Sequence, residues 1–290
     1  MNGIVVVKVG GSAGIDLGAF CAGFAAFVRA GARAVLVHGG SAETDELSRA
    51  LGHPAVVVRS PSGHVSRRTD RRTLEMFTMA CRGRVNAGIV ERLQALGVNA
   101  VGLSGIDGRL WSGARKGAVR SVEDGRVVIV RDDFTGRVER VNTGLLLGLM
   151  ELGAVPVLSP PAWADEGVAM NVDADRAAAA TAAALGAERL LLLSNVPGLL
   201  RDPGDAATVM ARVATEPERL AARACAQGRM KNKVLAAEEA LGGGVVRVVI
   251  GSANGERAVM AAMEGRGTVF ERAEEGGEES QAGRLCHLRE

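Results

Sequence analysis

The chain alternates short apolar runs with longer segments in which apolar residues recur every three to four positions. Ile4–Val9 (IVVVKV) is an apolar run ending at Gly10-Gly11, which predicts a buried strand entering a tight turn. Leu17–Ala30 has the period of an amphipathic helix. Ala34–His38 (AVLVH) predicts a second strand, again followed by Gly-Gly, and Ser41 is placed to cap a helix reaching about Leu51. Thr69 or Asp70 is placed to cap one long helix from about Arg71 to Leu96. Ala100–Ser104 reads as a strand, and the charged segment from Arg115 to Arg131 as a hairpin turning at Glu123-Asp124-Gly125. Helix Asn142–Leu152, strand Val155–Ser159, helix Arg176–Leu185, strand Arg189–Leu193, helix Gly228–Leu241 and strands Val245–Ile250 and Thr268–Phe270 complete the pattern. Repeated β-α units predict an α/β fold, an αβα sandwich with a mainly parallel open sheet. Beyond about Arg272 the chain is acidic and Gly-rich with no apolar period, and is expected to be disordered.

Composition narrows the function by exclusion. A net charge of +2 over 290 residues gives no global field for nucleic acid. No apolar run reaches membrane-spanning length and no cleavable signal pattern opens the chain, so a cytoplasmic protein is expected. Cys21, Cys81, Cys225 and Cys286 are scattered, and neither they nor His38, His53, His64 and His287 have metal-binding spacing, so reduced thiols and no protein-held metal are expected. There is no G-x-S-x-G elbow, no Walker A loop and no G-x-G-x-x-G turn.

What remains is a set of glycines and cations. Gly10-Gly11 and Gly39-Gly40 each follow a buried strand, where backbone N–H groups unobstructed by Cβ can approach phosphate oxygens. Either pair alone reads better as a plain tight turn; together they can cradle one anion from two sides. Lys8 interrupts an apolar strand, and a buried ammonium needs a partner such as a phosphate, or a short route to water. Lys231 and Lys233 lie on different faces of a predicted helix, and spacing does not choose between them. Asn171-Val172-Asp173-Ala174-Asp175 precedes a regular helix; an N-cap accounts for one of its three polar residues, leaving an acid to orient lysines and an Asn to fix a substrate. Arg67, Arg68, Arg71, Arg72, Arg82 and Arg84 face only Asp70 and Glu75. Such a run is ordinarily a solvated face, but Arg67 and Arg68 precede the helix, where a guanidinium can grip a carboxylate, and the rest can dock an acidic partner.

Taken in order, VKVGG (Val7–Gly11), VHGG (Val37–Gly40), GLSGIDG (Gly102–Gly108), N-x-D-A-D (Asn171–Asp175), SNVPGLL (Ser194–Leu200) and GRMKNK (Gly228–Lys233) resemble the amino acid kinase family up to about Phe270. The resemblance implies an ATP- and Mg²⁺-dependent kinase of a carboxylate, in two lobes: residues 1–185 for the acceptor and 186–271 for the nucleotide. It implies that Lys8 and Lys233 neutralise the transferring phosphoryl group and that Asp175 orients both. Gly10, Gly11, Gly39 and Gly40 would cradle phosphates, Arg67 and Asn171 would hold the acceptor, and Ser194 and Asn195 would serve the nucleotide. The Arg115–Arg131 hairpin becomes a candidate lid. Where acetylglutamate kinases of this family read HGGG, this chain reads HGGSAET, and Arg67 follows SPSGHVS; both resemble the branch whose substrate is attached to a small acidic amino-group carrier protein of the LysW type. That branch implies carrier-linked 2-aminoadipate or glutamate in lysine or arginine biosynthesis, against free N-acetylglutamate as the alternative acceptor. The family also implies a homodimer. A non-catalytic sensor on the same fold would have no need of Lys8, Asp175 and Lys233 together.

Overall fold

The structure is a computed structural model and describes residues 3–61, 65–123 and 126–273. The expectations for Gly63-His64, for the Asp124-Gly125 turn and for the tail with Cys286 and His287 lie outside the described residues. In chain order the elements begin with β1 (Ile4–Val9), α1 (Leu17–Arg29), β2 (Arg33–His38) and α2 (Ser41–Ala50). A small antiparallel pair follows, β3 (Val57–Arg59) and β4 (Val65–Arg67). Then comes a helical arm of α3 (Arg71–Thr78), a π-helical stretch over Met79–Asn86 and α4 (Ala87–Ala95). β5 (Ala100–Gly105) and β6 (Trp111–Gly113) precede the hairpin of β7 (Val119–Glu123) and β8 (Arg126–Val130). Next are β9 (Arg140–Val141), α5 (Thr143–Glu151), β10 (Val155–Ala164), β11 (Ala169–Met170) and α6 (Ala174–Ala184). The last segment holds β12 (Arg189–Ser194), β13 (Arg212–Val213), α7 (Glu216–Cys225), α8 (Met230–Gly242), β14 (Arg247–Ser252), α9 (Ala258–Met263) and β15 (Thr268–Glu271).

Among the described residues one 11-stranded sheet runs β13-β15-β14-β12-β1-β2-β10-β6-β9, with β5 and β11 also paired to β10. The central strands β14, β12, β1, β2 and β10 are parallel, as the repeated β-α pattern requires. β1 lies between β2 and β12, so strand order reverses beside it, and the crevice at the carboxyl ends of β1, β2 and β12 is where a ligand site forms in such sheets.

Side chains alternate across β1, and the two layers differ in kind. Val5, Val7 and Val9 pack with Phe20, Phe24 and Phe27 of α1 and with Ile89 and Leu93 of α4. Ile4 and Val6 face the opposite layer, where Ala177, Ala178 and Ala182 of α6 and Ala236, Ala237 and Ala240 of α8 are buried. The alanines let two helices approach the sheet and each other closely. Lys8 shares the parity of Ile4 and Val6 and therefore enters this alanine-lined layer.

Several boundaries differ from those read in the sequence, among them the end of β10 at Ala164 and the start of β14 at Arg247. Ser41 is the first helical residue of α2 rather than its cap; Gly40 occupies the N-cap position, and the Ser41 hydroxyl donates to the Gly11 carbonyl at 2.8 Å. The expected long helix does start at an Asp70 cap, whose carboxylate accepts from Thr73 N at 2.7 Å, but it widens into the π-helical turns in its middle. Those turns carry Asn86 under the end of β2, where it bonds His38 and the Val157 carbonyl, contacts that a helical period does not encode. α6 starts two residues early because Asp173 caps it, accepting from the N–H groups of Asp175 and Arg176. α8 starts at Met230 because Gly228 has φ of 49°, in the left-handed region.

Gly23, in the middle of α1, tests the packing of the phenylalanine layer. A Cβ built there would lie 2.0 Å from the Glu256 carbonyl oxygen. Gly23→Ala is expected to destabilise the protein by about 1–3 kcal/mol, outweighing the gain of about 1 kcal/mol in helix propensity. Urea denaturation reads the difference; an unchanged or raised midpoint would show that the turn before α9 yields freely.

Candidate active site

The site is built where β1, β2 and β12 end. Lys8 lies near the carboxyl end of β1, in register with Val37 of β2 and Leu192 of β12. Asp175 projects from the first turn of α6 and Lys233 from the first turn of α8; all three side chains are buried. Lys8 Nζ is 2.7 Å from Asp175 Oδ1, and Lys233 Nζ is 2.8 Å from Asp175 Oδ2. One carboxylate thus holds two ammonium groups, leaving a net positive charge in a desolvated pocket. Burial alone would raise the Asp175 pKa, but Lys233 and Lys8 hold it well below the usual carboxylate range. Burial depresses the pKa of Lys8, against the attraction of Asp175 and reinforced by the charge of Lys233. Lys231, the other lysine of the segment, is exposed.

Asp173 sets this cluster in place. Its Oδ1 caps α6, and its Oδ2 accepts from Asn232 Nδ2 at 2.7 Å. The bond ties the start of α6 to the first turn of α8, two residues from Asp175 and one from Lys233. Of the three polar residues in the N-x-D-A-D segment, Asp173 is the cap, Asp175 holds the lysines, and Asn171 donates from its amide to Thr69 Oγ1 at 3.1 Å.

The two glycine turns meet above the lysines. A Cβ on Gly11 would fall 2.3 Å from Gly40 N, so the turns touch backbone to backbone. A Cβ on Gly40 would lie 2.6 Å from Cys81 Sγ on the π-helical stretch behind it. Gly10 N donates to the Leu193 carbonyl and Gly39 N to the Val9 carbonyl, whereas neither Gly11 N–H nor Gly40 N–H has an acceptor among the described residues. Two free donors beside two ammonium groups suit an anion.

A buried histidine aims one of those donors. His38 Nε2 accepts from Asn86 Nδ2 at 2.9 Å, because Asn86 Oδ1 is occupied by Arg82 at 2.8 Å. The proton is therefore on His38 Nδ1 and is donated to the Gly39 carbonyl at 2.8 Å. Burial pulls the His38 pKa down to about 4 and keeps the ring neutral. In a trans peptide C=O and N–H point opposite ways, so fixing the Gly39 carbonyl toward His38 turns Gly40 N–H away from it.

Around this centre, Arg67 donates to Asp45 at 2.5 Å and to the Ser41 carbonyl at 3.2 Å, which places it beside the second turn. Ser194 ends β12 with its hydroxyl buried and without a hydrogen-bond partner among the described residues, and Asn195 reaches the Ala13 carbonyl at 3.4 Å. Asn254 also pins the loop after the first turn, donating to the Gly14 carbonyl at 3.0 Å. The arginines of the cluster are mostly engaged at the surface: Arg68 with Asp132, Arg71 with Glu75, Arg84 with Glu46, and Arg72 with the Leu51 carbonyl.

A profile of the amino acid kinase family matches residues 3–252. The chain belongs to the amino acid kinase family. Among members of that family, it is 57% identical over 267 residues to the [LysW]-aminoadipate kinase of Deinococcus radiodurans, covering 92% of this chain and 91% of that protein. It is 50% identical over 270 residues to the [LysW]-aminoadipate kinase of Thermus thermophilus, covering 92% and 99%. N-acetylglutamate synthase from Neisseria gonorrhoeae, solved with coenzyme A and N-acetyl-glutamate, shares the fold with a TM-score of 0.71 at 22% identity. That comparison covers 94% of this chain but 60% of the longer solved one. Within the amino acid kinase fold, the residues that sequence reasoning passed over are His38, Asn86, Asp45, Asn232 and Arg229. His38 had a signal, a polar residue closing an apolar strand; Asn86 had none, because its contact depends on the π-helical turns.

Removing the shared carboxylate leaves two buried ammonium groups without a partner. Asp175→Ala is expected to cost about 3–5 kcal/mol of stability at neutral pH, read by chemical denaturation. A loss below about 1 kcal/mol would show that water reaches and solvates the lysines.

Proposed function

We propose that this protein is an ATP-dependent kinase acting on 2-aminoadipate whose amino group is joined to a small acidic carrier protein of the LysW type. It would phosphorylate the side-chain carboxylate to an acyl phosphate. The observation that carries the phosphoryl-transfer part is the pair of buried ammonium groups on one buried carboxylate, with Lys8 two residues before the first of two touching glycine turns. The carrier-linked acceptor is supported by the two relatives named for it and by the HGGSAET and Arg67 segments.

The chemistry asks little of the protein except placement and charge. An acceptor carboxylate is ionised at neutral pH and needs no general base. In this reading Lys8 and Lys233 offset charge on the transferring phosphoryl group while Asp175 holds both in position. The N–H groups of Gly11 and Gly40 bind phosphoryl oxygens, with Gly10 and Gly39 allowing the close approach. Arg67 and Asn171 hold the acceptor, within residues 1–185, and residues 186–271 hold the nucleotide. The buried, unpartnered hydroxyl of Ser194 fits a ligand there, with Asn195 beside it. ATP brings Mg²⁺, which is held chiefly by phosphate oxygens and water and asks for no carboxylate cage. In this reading the β7–β8 hairpin serves as a lid that keeps water from the acyl phosphate. Arg71, Arg72 and Arg84 supply the face for the acidic carrier; their exposed pairs are weak and readily exchanged for carrier carboxylates.

ATP-dependent ADP release tests the acceptor directly, with carrier-linked aminoadipate, carrier-linked glutamate and free N-acetylglutamate compared side by side. Turnover confined to carrier-linked substrates is the expected result; efficient turnover of free N-acetylglutamate would sink the carrier reading. Lys8→Ala and Lys233→Ala are each expected to lower kcat by more than about tenfold, and Arg67→Ala to act mainly by raising KM for the acceptor. Near-normal kcat in both lysine variants would remove them from the transfer step, and an unchanged KM would move the acceptor site away from Arg67.

A further inference from the structure

Arg229 carries a charge that the site described so far does not use. It sits at the N-cap position of α8, just after the left-handed Gly228, and its side chain is exposed. Its guanidinium donates from Nη1 to Ser12 Oγ at 2.6 Å and to Ser41 Oγ at 3.1 Å. Ser12 follows Gly10-Gly11, and Ser41 follows Gly39-Gly40. One cation from the start of α8 therefore spans both glycine turns, and its hydrogen-bond partners among the described residues are neutral hydroxyls. No carboxylate lies within ion-pairing distance of it among the described residues.

Its neighbours make an anion the missing partner. Arg67 is close enough for the charge of Arg229 to disfavour its own, and Asp45 already answers Arg67. Below, Asp175 answers only one of the two charges on Lys8 and Lys233. Arg229 and Lys233 are four residues apart and so lie on the same side of α8, one at the mouth of the site and one in its depth. The two free donors, Gly11 N–H and Gly40 N–H, belong to the turns that the guanidinium bridges. A phosphate entering between the turns would meet Arg229 first and replace two neutral hydroxyl acceptors by an anionic one.

We infer that Arg229 is a third phosphate-binding cation, which grips the terminal phosphoryl group of the nucleotide at the mouth of the two glycine turns, opposite Lys8 and Lys233. The inference rests on the kinase reading above but not on the identity of the acceptor. A guanidinium here also ties the first turn, the second turn and α8 together when the nucleotide is bound, so it senses whether the terminal phosphate is present.

The test compares binding of MgAMP-PNP, which has that phosphate, with MgADP, which lacks it, by calorimetry on the full chain. Arg229→Met is expected to weaken MgAMP-PNP by about tenfold or more, the loss of a charge-assisted hydrogen bond, and MgADP by less than about threefold. Arg229→Lys, which keeps the charge, should recover most of the MgAMP-PNP affinity, and thermal unfolding of both variants should match the wild type. Equal weakening of both nucleotides, or of neither, would overturn the inference and leave Arg229 as a tie between Ser12 and Ser41. Wild-type protein that binds neither nucleotide would overturn the kinase reading and this one with it. Wild-type protein that binds both but turns over none of the three acceptors would fault the acceptor assignment alone.

Discussion

The arrangement depends on one buried carboxylate shared by two buried lysines. A charge in an apolar interior is tolerated only when it is paired and hydrogen-bonded, and Asp175 meets that condition for Lys8 and Lys233 at once. The requirement reaches far into the fold. It brings the first turns of α6 and α8 within hydrogen-bonding distance of β1, and only helices with small side chains on their inner faces can come so close. The alanines of α6 and α8 are therefore part of the site, although none carries chemistry.

The charges are arranged in depth. At the bottom, one carboxylate and two ammonium groups leave a positive remainder. Above them are backbone N–H groups, which cannot titrate and are aimed by rigid surroundings. His38 contributes by being neutral: its ring fixes the Gly39 carbonyl and so directs the Gly40 N–H the opposite way. A preorganised set of this kind is suited to charge that is redistributed along a short line, as when a phosphoryl group moves between two oxygens.

Much of the central architecture is legible in the sequence, because apolar runs closed by Gly-Gly locate β1 and β2, and alternation within β1 is enough to mark Lys8 as anomalous. Lys233 is different: its spacing does not separate it from Lys231, and only resemblance did, since which face of α8 is inward is decided by packing on the sheet. The π-helical turns escaped for a similar reason. The helical period fades through Met79–Asn86, where the buried positions Ala80, Cys81, Val85 and Asn86 recur at a spacing of five, and what the widening achieves shows only in the contacts of Cys81 with Gly40 and of Asn86 with His38. Helix α7, whose ten residues bury only Ala222, was also unmarked, as were α9 and the β3–β4 pair, which have too few residues to establish a period. The Ser41 hydroxyl, which looked like a helix cap, is instead drawn to the carbonyl of a residue thirty positions earlier, a partner that local patterning cannot supply.

The contact between Gly11 and Gly40 has an evolutionary consequence. Where a side chain meets a side chain, a damaging change on one side can be rescued by a smaller residue on the other. At Gly11 an added side chain would meet backbone, and no neighbouring residue can shrink to make room, whereas a smaller residue in place of Cys81 could admit one at Gly40. The surface ion pairs of the arginine cluster can exchange partners, reverse sign or vanish as lineages diverge. Gly11 cannot drift in that way, so any descendant that fills it must abandon the touching turns altogether.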